Sequence, residues 1–263
     1  MQLTHIYIYP IKALGGFRAT SAELTDRGLK HDRRWMLVQA DGTFITQRGF
    51  PKLATLAVSV AEDGLRVEQK QGLKAALTVP FVPTTQEVIA TQVWGKDTAG
   101  LRVSDAVDAW FSEFLGEKVH LIYMAEEHKR LVSRPRKEDL VSFADGYPHL
   151  LIGQASLDFL NAKLDTPVGM DRFRPNLVID AVTPHEEDDW KSFRLGAIQF
   201  FNVKVCIRCQ VPNIDQETGL MQKEPNRTLA AYRNFDHSIH FGVNLLHEGE
   251  GKVEVGMEVE ELR

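Results

Sequence analysis

Asp41-Gly42 and Asp63-Gly64 constrain this chain more than any other local feature. Each dipeptide separates two β-branched and aromatic runs: Arg34–Ala40 from Thr43–Arg48, and Thr55–Ala61 from Leu65–Gln69. Asp-Gly between such runs predicts hairpins of type I′, whose two central residues both need φ > 0. Leu3–Tyr9, stopped by Pro10, and Val88–Trp94, ending at Gly95, add two more strand-like runs. Short strands at this spacing predict a small barrel or sandwich rather than βαβ units.

The period changes at Ser104–Leu115. Val107, Trp110, Phe111, Phe114 and Leu115 recur at helical spacing, with Ser104 to cap the start and Gly116 the end. Such a stripe predicts a core-packing helix with no chemistry of its own. Val119–Met124 returns to strand. Glu126–His149 is polar and aperiodic, so it reads as a long loop and a hinge between two regions. Beyond it, Leu150–Ile152, Leu177–Asp180, Phe193–Leu195, Ile198–Val205, Phe241–Leu246, Lys252–Val255 and Glu258–Leu262 read as strands. Ser156–Leu164 reads as a capped helix and Arg227–Arg233 as a short one. The expected fold is therefore mainly β with a few helices: a barrel-like N-terminal domain over 1–120 and a second β-barrel over 121–263.

The 263 residues can bury a sizeable core without disulfide or structural metal. Net charge is -5, which gives no electrostatic case for nucleic acid or an anionic membrane surface. No apolar run reaches the roughly 18–20 residues of a membrane span. MQLTHIYIYPIK lacks a basic segment followed by an apolar one, so no signal peptide is expected. The expected compartment is a reducing cytoplasm.

Both cysteines of the chain fall in Val205–Gly219, VCIRCQVPNIDQETG. Their CxxC spacing admits four chemistries. A thioredoxin-like redox pair needs a following helix, which Pro212 disfavours. A zinc site needs two further Cys or His ligands, and no second CxxC or HxxxH-type pairing exists. A pair of buried thiols is the bland alternative. The fourth is a single thiolate ligand, favoured by the cationic neighbour Arg208 and by Arg174 elsewhere. Local sequence alone leaves this choice open.

The arginines of Lys30-His31-Asp32-Arg33-Arg34-Trp35, Thr46-Gln47-Arg48 and Arg172-Phe173-Arg174-Pro175-Asn176 sit at strand ends or in loops. A planar guanidinium fork suits phosphate and other oxyanions, though any one such arginine is more often a solvated surface charge. Phe173 and Pro175 favour a held Arg174. Asn176 can read a heterocycle edge, Asp145-Gly146 precedes a buried strand, and Asp215 with Thr218-Gly219 reads as a turn cap. Asp188-Asp189 reads as a surface turn before Trp190.

In order along the chain stand YPIK, HDRRWMLV, DGTFITQR, VWG, SFADGYPHLLIGQASL, FRPNLVI, CIRCQVPNIDQETG, EPNRTLAAYR and FGVNL. This ordered set resembles MOSC-domain proteins that carry an N-terminal MOSC-associated β-barrel, the group of the mitochondrial amidoxime-reducing component and its YcbX-type bacterial relatives. The resemblance covers nearly the whole chain. It implies a molybdenum cofactor, with the metal held by a pterin dithiolene and by a protein thiolate, here Cys209. Lys12 and Arg33 match positions for the pterin's phosphate end, Asp145, Arg174 and Asn176 positions that hold the pterin, and Arg208 is the cationic residue of the CxRC motif. The implied activity is reduction of N-hydroxylated substrates such as amidoximes, N-hydroxylamines and hydroxylated base analogues to N–H plus water. The implied partner is a separate flavoprotein reductase, with or without a heme or iron–sulfur carrier. Two departures stand out: Ile207 where the family commonly has serine, and Ala13 where it commonly has a phosphate-binding serine. No cysteine follows Cys209, so this sequence has no iron–sulfur ligand set of its own. The alternative function is a carrier of cofactor, or of sulfur as a Cys209 persulfide, without turnover.

Overall fold

The computed structural model describes residues 1–72, 74–132 and 138–262. The first strands are β1 (Leu3–Ile8), β2 (Phe17–Ala19), β3 (Ser21–Thr25), β4 (Gly28–Leu29) and β5 (Trp35–Gln39). There follow β6 (Leu56–Val60), β7 (Gly64–Gln69), β8 (Leu77–Pro80), β9 (Val88–Val93), β10 (Lys96–Arg102), helix α1 (Asp105–Leu115) and β11 (Val119–Tyr123). The C-terminal half holds β12 (His149–Gly153), helix α2 (Gln154–Asn161), β13 (Leu177–Ile179), β14 (Ser192–Leu195) and β15 (Ile198–Ile207). It ends with helix α3 (Asn226–Tyr232), β16 (Asn234–Phe235), β17 (Ser238–Glu248), β18 (Gly251–Glu254) and β19 (Val259–Leu262). The chain is mostly strand, in curled sheets, as expected.

The largest sheet runs β19-β14-β15-β17-β12-β13-β1-β2, with β16 joined to β17. Its enclosed face carries Ile6, Leu151, Leu177, Phe193, Phe200, Val243 and Leu245, all buried. Alternation along each strand sends these side chains inward, as a half-buried antiparallel sheet requires. β3, β4 and β18 cover this core with Ala22, Leu24, Leu29 and Val253. Strands β1, β3 and β4 thus pack with the C-terminal half, β1 pairing β13 and β3 pairing β18, whereas Ile11 and Leu14 between them join the second core.

A second core lies among β5, β6, β7, β11 and α1, built from Trp35, Leu37, Leu56, Leu65, Phe111 and Leu121. The helical stripe read from sequence is its floor: Val107, Phe111 and Leu115 are buried, and the Ser104 hydroxyl accepts from the Val107 N–H. The strands β5-β11-β10-β9 form a four-stranded sheet, and β6-β7-β8 a three-stranded one.

Four expectations change. Neither Asp-Gly turn is type I′. The Asp41 carboxylate accepts from the Thr43 N–H, and of the two central residues only Gly42 has positive φ. Neither Asp63 nor Gly64 has positive φ, although β6 and β7 do pair as a hairpin. The two-residue turns with both φ positive among the described residues are Trp94-Gly95, between Val93 and Lys96, and Asp236-His237, between Phe235 and Ser238. Ser156 does not cap α2; the helix starts before it, and the Ser156 hydroxyl donates to buried Glu187. β12 and β13 are parallel and joined through α2, one βαβ unit inside a mainly antiparallel sheet. Asp188 is no surface turn but a half-buried partner of Arg233. Of the long loop, residues 133–137 lie outside the described residues.

Gly242 has φ +76 within β17, and a Cβ there would lie 2.6 Å from Ile152 Cγ1 and 2.7 Å from the Leu151 carbonyl oxygen. Gly95 has φ +73 and nothing within 4 Å of such a Cβ. Gly95→Ala is expected to cost about 1–2 kcal/mol in urea unfolding, the left-handed penalty alone. Gly242→Ala adds overpacking and is expected to cost about 3 kcal/mol or more. Equal losses would contradict the close β12–β17 approach.

Candidate active site

Between the two cores lies a cavity of about 240 Å³. Lys12, Arg33, Asp145, Arg174, Asn176, Arg208 and Cys209 all line it, although they come from five separate segments. Arg48, Trp94, Tyr147, His149, Cys206 and Ile207 complete much of the wall.

Lys12 follows β1 and is 7% exposed. Its ammonium donates to the Phe143 carbonyl at 2.8 Å and contacts the Asp145 carboxylate. Burial lowers the Lys12 pKa, and Asp145 offsets part of that fall. Burial would raise the Asp145 carboxyl; the Lys12 ammonium, the Trp94 indole N–H and Arg33 outweigh it and hold the group well below the usual carboxylate range. The outer surface of that carboxylate still faces the open cavity, with 68% of the side chain exposed. Arg130 fixes the loop beneath, donating to the Ala144 and Asp145 carbonyls at 2.7 Å each.

Arg33 is clamped by its neighbour: its Nη1 donates to both oxygens of Asp32, at 2.8 and 2.7 Å. It also reaches the Asn176 Oδ1 at 3.2 Å and the Arg174 carbonyl at 3.1 Å. Burial raises the Asp32 carboxyl, and Arg33 with the Tyr9 N–H offsets only part of that. Arg174 donates to the Leu14 carbonyl at 2.6 Å. Among the described residues no carboxylate pairs with it, and burial, then Arg33, pushes its pKa down to about 10. The Arg33 and Arg174 guanidinium groups each lie 4.3 Å from the centre of the Tyr9 ring. Such stacking holds weakly hydrated cations without neutralising them.

Five cationic side chains, Lys12, Arg33, Arg48, Arg174 and Arg208, face one carboxylate, Asp145, among the described lining residues. The cavity is therefore built for an anion. Ala13, Arg33, Trp94 and Arg174 all have positive φ, four of the eight such non-glycine residues described. Strain of this kind persists where the surroundings over-determine a functional geometry.

Cys209 lies just past the end of β15 and is exposed; Cys206 is half-buried within that strand, and both are free thiols. Asn226 Nδ2 donates to the Cys209 carbonyl at 2.7 Å. The Arg208 guanidinium turns toward the other cysteine: Nη1 is 3.1 Å from Cys206 Sγ and Nη2 2.9 Å from the Phe173 carbonyl. The residue expected as a cationic neighbour of Cys209 thus bonds Cys206. Pro212 opens a short 3-10 turn rather than a helix, and no group of three or more Cys, His, Asp or Glu fit to hold a metal occurs among the described residues.

Residues 1–118 match the MOSC N-terminal beta barrel domain, and residues 138–260 match the MOSC domain. The chain is 30% identical to mitochondrial amidoxime-reducing component 1 of Homo sapiens over 274 residues, covering 97% of this chain and 81% of that protein. The chain belongs to the MOSC family. Mitochondrial amidoxime reducing component 2 of Rattus norvegicus is also 30% identical, with the same coverage of both chains. Molybdenum cofactor sulfurase of Oryza sativa subsp. japonica is 33% identical over 94% of this chain, which spans only 33% of that longer protein.

Within this MOSC chain the structure adds residues the sequence did not single out. Trp94 stacks under Arg48 at 4.3 Å and donates to Asp145 at 3.0 Å. Its one local signal was VWG, where a large aromatic precedes the turn glycine. Arg130 carried no local signal. Asn176 lines the cavity, and its oxygen accepts from the Leu150 N–H and Arg33 while its amide donates to the Tyr7 carbonyl. It braces the cavity wall more than it faces a ligand. Asp215 does cap its turn, accepting from the Thr218 N–H at 2.9 Å. It also holds Arg172 at 2.8 Å.

Lys12→Met removes the ammonium that outweighs burial at Asp145. The Asp145 carboxyl, followed by carbon NMR, is expected to titrate above about 4 in that variant and below it in the wild type. The same midpoint in both proteins would contradict this pairing.

Proposed function

We propose that this chain is a molybdenum-cofactor-dependent oxidoreductase that reduces N-hydroxylated compounds, amidoximes and N-hydroxylamines among them, to the N–H form and water. The observation that carries this reading is the convergence of all seven matched residues, Cys209 included, on one strongly cationic cavity. The relatives named mitochondrial amidoxime-reducing component support the same class of substrate.

The donor set fits an anionic pterin. Arg174 has no carboxylate partner among the described residues, and the buried Nε of Arg208 has no hydrogen-bond partner. The lack of a three-ligand protein cluster among the described residues fits a metal that brings most of its ligands with it. In this reading Cys209 provides the protein thiolate, a soft ligand suited to a thiophilic metal. Lys12 and Arg33 face the phosphate end, while Arg174 and Asp145 take the oxygens and N–H groups of the pterin. Asn176 positions Arg33, and Arg208 orients the Cys206–Cys209 segment against Phe173.

When bound, the cofactor supplies the two-electron reduction that cleaves the N–O bond. The protein's own residues bind and orient. Lys12 keeps Asp145 ionised, and Asp145 in turn fixes Trp94 through its indole N–H. Arg48 and Trp94 wall one side of the cavity. The overall change takes up two electrons and two protons and releases one water. The electrons come from a separate reductase, of flavoprotein type, directly or through a small heme or iron–sulfur carrier.

The exposed Cys209 favours a second reading, a cofactor or persulfide carrier without turnover, and the likeness to molybdenum cofactor sulfurase supports it. One experiment separates the two. Protein made in a cofactor-competent host is assayed for molybdenum and for reduction of a model amidoxime with an artificial electron donor. Cys209→Ser is expected to lower both about a hundredfold or more, and Cys206→Ala to retain both. Bound cofactor or persulfide without turnover supports the carrier, and a metal content unaffected by Cys209→Ser overturns the ligand assignment.

A further inference from the structure

Four of the five cations that line the cavity are committed to protein atoms. Lys12 pairs with Asp145, and Asp32 clamps Arg33. Arg174 donates to the Leu14 carbonyl, and Arg208 donates to Cys206 Sγ and to the Phe173 carbonyl. Arg48 is the exception. It is exposed, and among the described residues it makes no hydrogen bond and no ion pair. Its guanidinium instead lies over the Trp94 ring, 4.3 Å from the ring centre.

That stack is itself held. The Trp94 indole N–H donates to Asp145 at 3.0 Å, and the Trp94 ring meets Phe44 edge to face at 5.0 Å. The residue before Arg48 is anchored too: Gln47 Nε2 donates to the Ala13 carbonyl at 2.7 Å. A guanidinium over an aromatic ring is positioned without using its N–H donors. Asp145 does not claim them, because Lys12 and the indole take its charge. Arg48 therefore offers a preplaced donor fork of the shape that fits a carboxylate.

The exposed side chains mark the mouth of the cavity. Arg48 shares it with Trp94 and Ile207, each 48% exposed, and with exposed Cys209. Lys12, Phe173 and Asn176, all buried, line the deeper wall. We propose that Arg48 is a specificity-determining residue, and that the preferred substrates are planar N-hydroxylated compounds that bear a carboxylate. Their apolar ring is received at the mouth by Trp94 and Ile207, and their carboxylate takes the Arg48 fork. This rests on the reductase reading, in which the cofactor takes the buried cations and the substrate approaches the Cys209 edge from outside. One free guanidinium matches one negative charge; a doubly charged phosphate would call on a second cation, and the other four are committed.

The test compares para-carboxybenzamidoxime with benzamidoxime on the cofactor-loaded protein, wild type and Arg48→Met. Without an electron donor no turnover occurs, so calorimetry reads binding alone. The carboxylated compound is expected to bind wild type about fivefold or more tightly than benzamidoxime, and Arg48→Met to abolish the difference. With an artificial donor, the ratio of kcat/KM for the two compounds is expected to fall by the same factor in Arg48→Met. In wild type the preference is expected to shrink as salt rises from about 0.1 M to about 1 M, a check that needs no variant to fold. Equal binding of the two compounds by wild type, or a preference that survives both Arg48→Met and high salt, overturns the proposal. Loss of molybdenum from Arg48→Met overturns it too, because Arg48 then serves the cofactor. A wild type that binds with the expected preference but reduces neither compound refutes the reductase reading and not the role of Arg48.

Discussion

A lysine ammonium taken out of water needs an anion, and Lys12 finds its anion 133 residues along the chain, at Asp145. Desolvation of the Lys12 charge is expensive, and only close pairing with added hydrogen bonds offsets it. The structure provides those bonds on both sides: the Phe143 carbonyl for Lys12, and the Trp94 indole for Asp145. The residues in this chain of contacts come from three separate segments. The loop before β12, the turn between β9 and β10 and the segment after β1 are therefore fixed relative to one another by one ion pair. The cavity exists because these segments cannot move apart without leaving a buried charge alone.

The same logic governs Arg33, Arg174 and Tyr9. Asp32 neutralises Arg33, but among the described residues Arg174 has no carboxylate partner, bonding the Leu14 carbonyl and stacking on the Tyr9 ring. A guanidinium held in this way is short of negative charge, and an anionic ligand supplies it. The left-handed backbone at Ala13, Arg33, Trp94 and Arg174 aims these side chains or their neighbours at the cavity. Non-glycine residues enter that region at a cost of about 1–2 kcal/mol each, which the packing of the two cores against this seam offsets.

Much of this was legible in the sequence. The stripe of α1 was, because helical spacing with a serine before and a glycine after leaves little choice. So were most strands, and the arginines and CIRC motif as candidate ligand residues. The turn types were not. Asp41 hydrogen-bonds its own backbone and so relieves the need for two positive φ values, whereas Trp94 accepts one because Arg48 and Asp145 hold its ring from outside the turn. The parallel β12–β13 pair was hidden because a three-residue strand has no readable period. Site geometry was hidden for a related reason. Arg208 stands next to Cys209 in sequence but bonds Cys206 and the Phe173 carbonyl, at an end of β15 where the register shifts and simple alternation does not apply. Asn176 has the donor and the acceptor to read a heterocycle, but the Tyr7 carbonyl accepts from its amide and the Leu150 N–H donates to its oxygen.

The central claim is that this seam of buried cations, with Cys209 at its edge, holds molybdenum through one protein thiolate. X-ray absorption at the molybdenum edge, on protein from a cofactor-competent host, tests it most directly. The account predicts a sulfur shell that loses one sulfur in Cys209→Ser and none in Cys206→Ala. An unchanged sulfur count in Cys209→Ser, or a loss in Cys206→Ala instead, would contradict it.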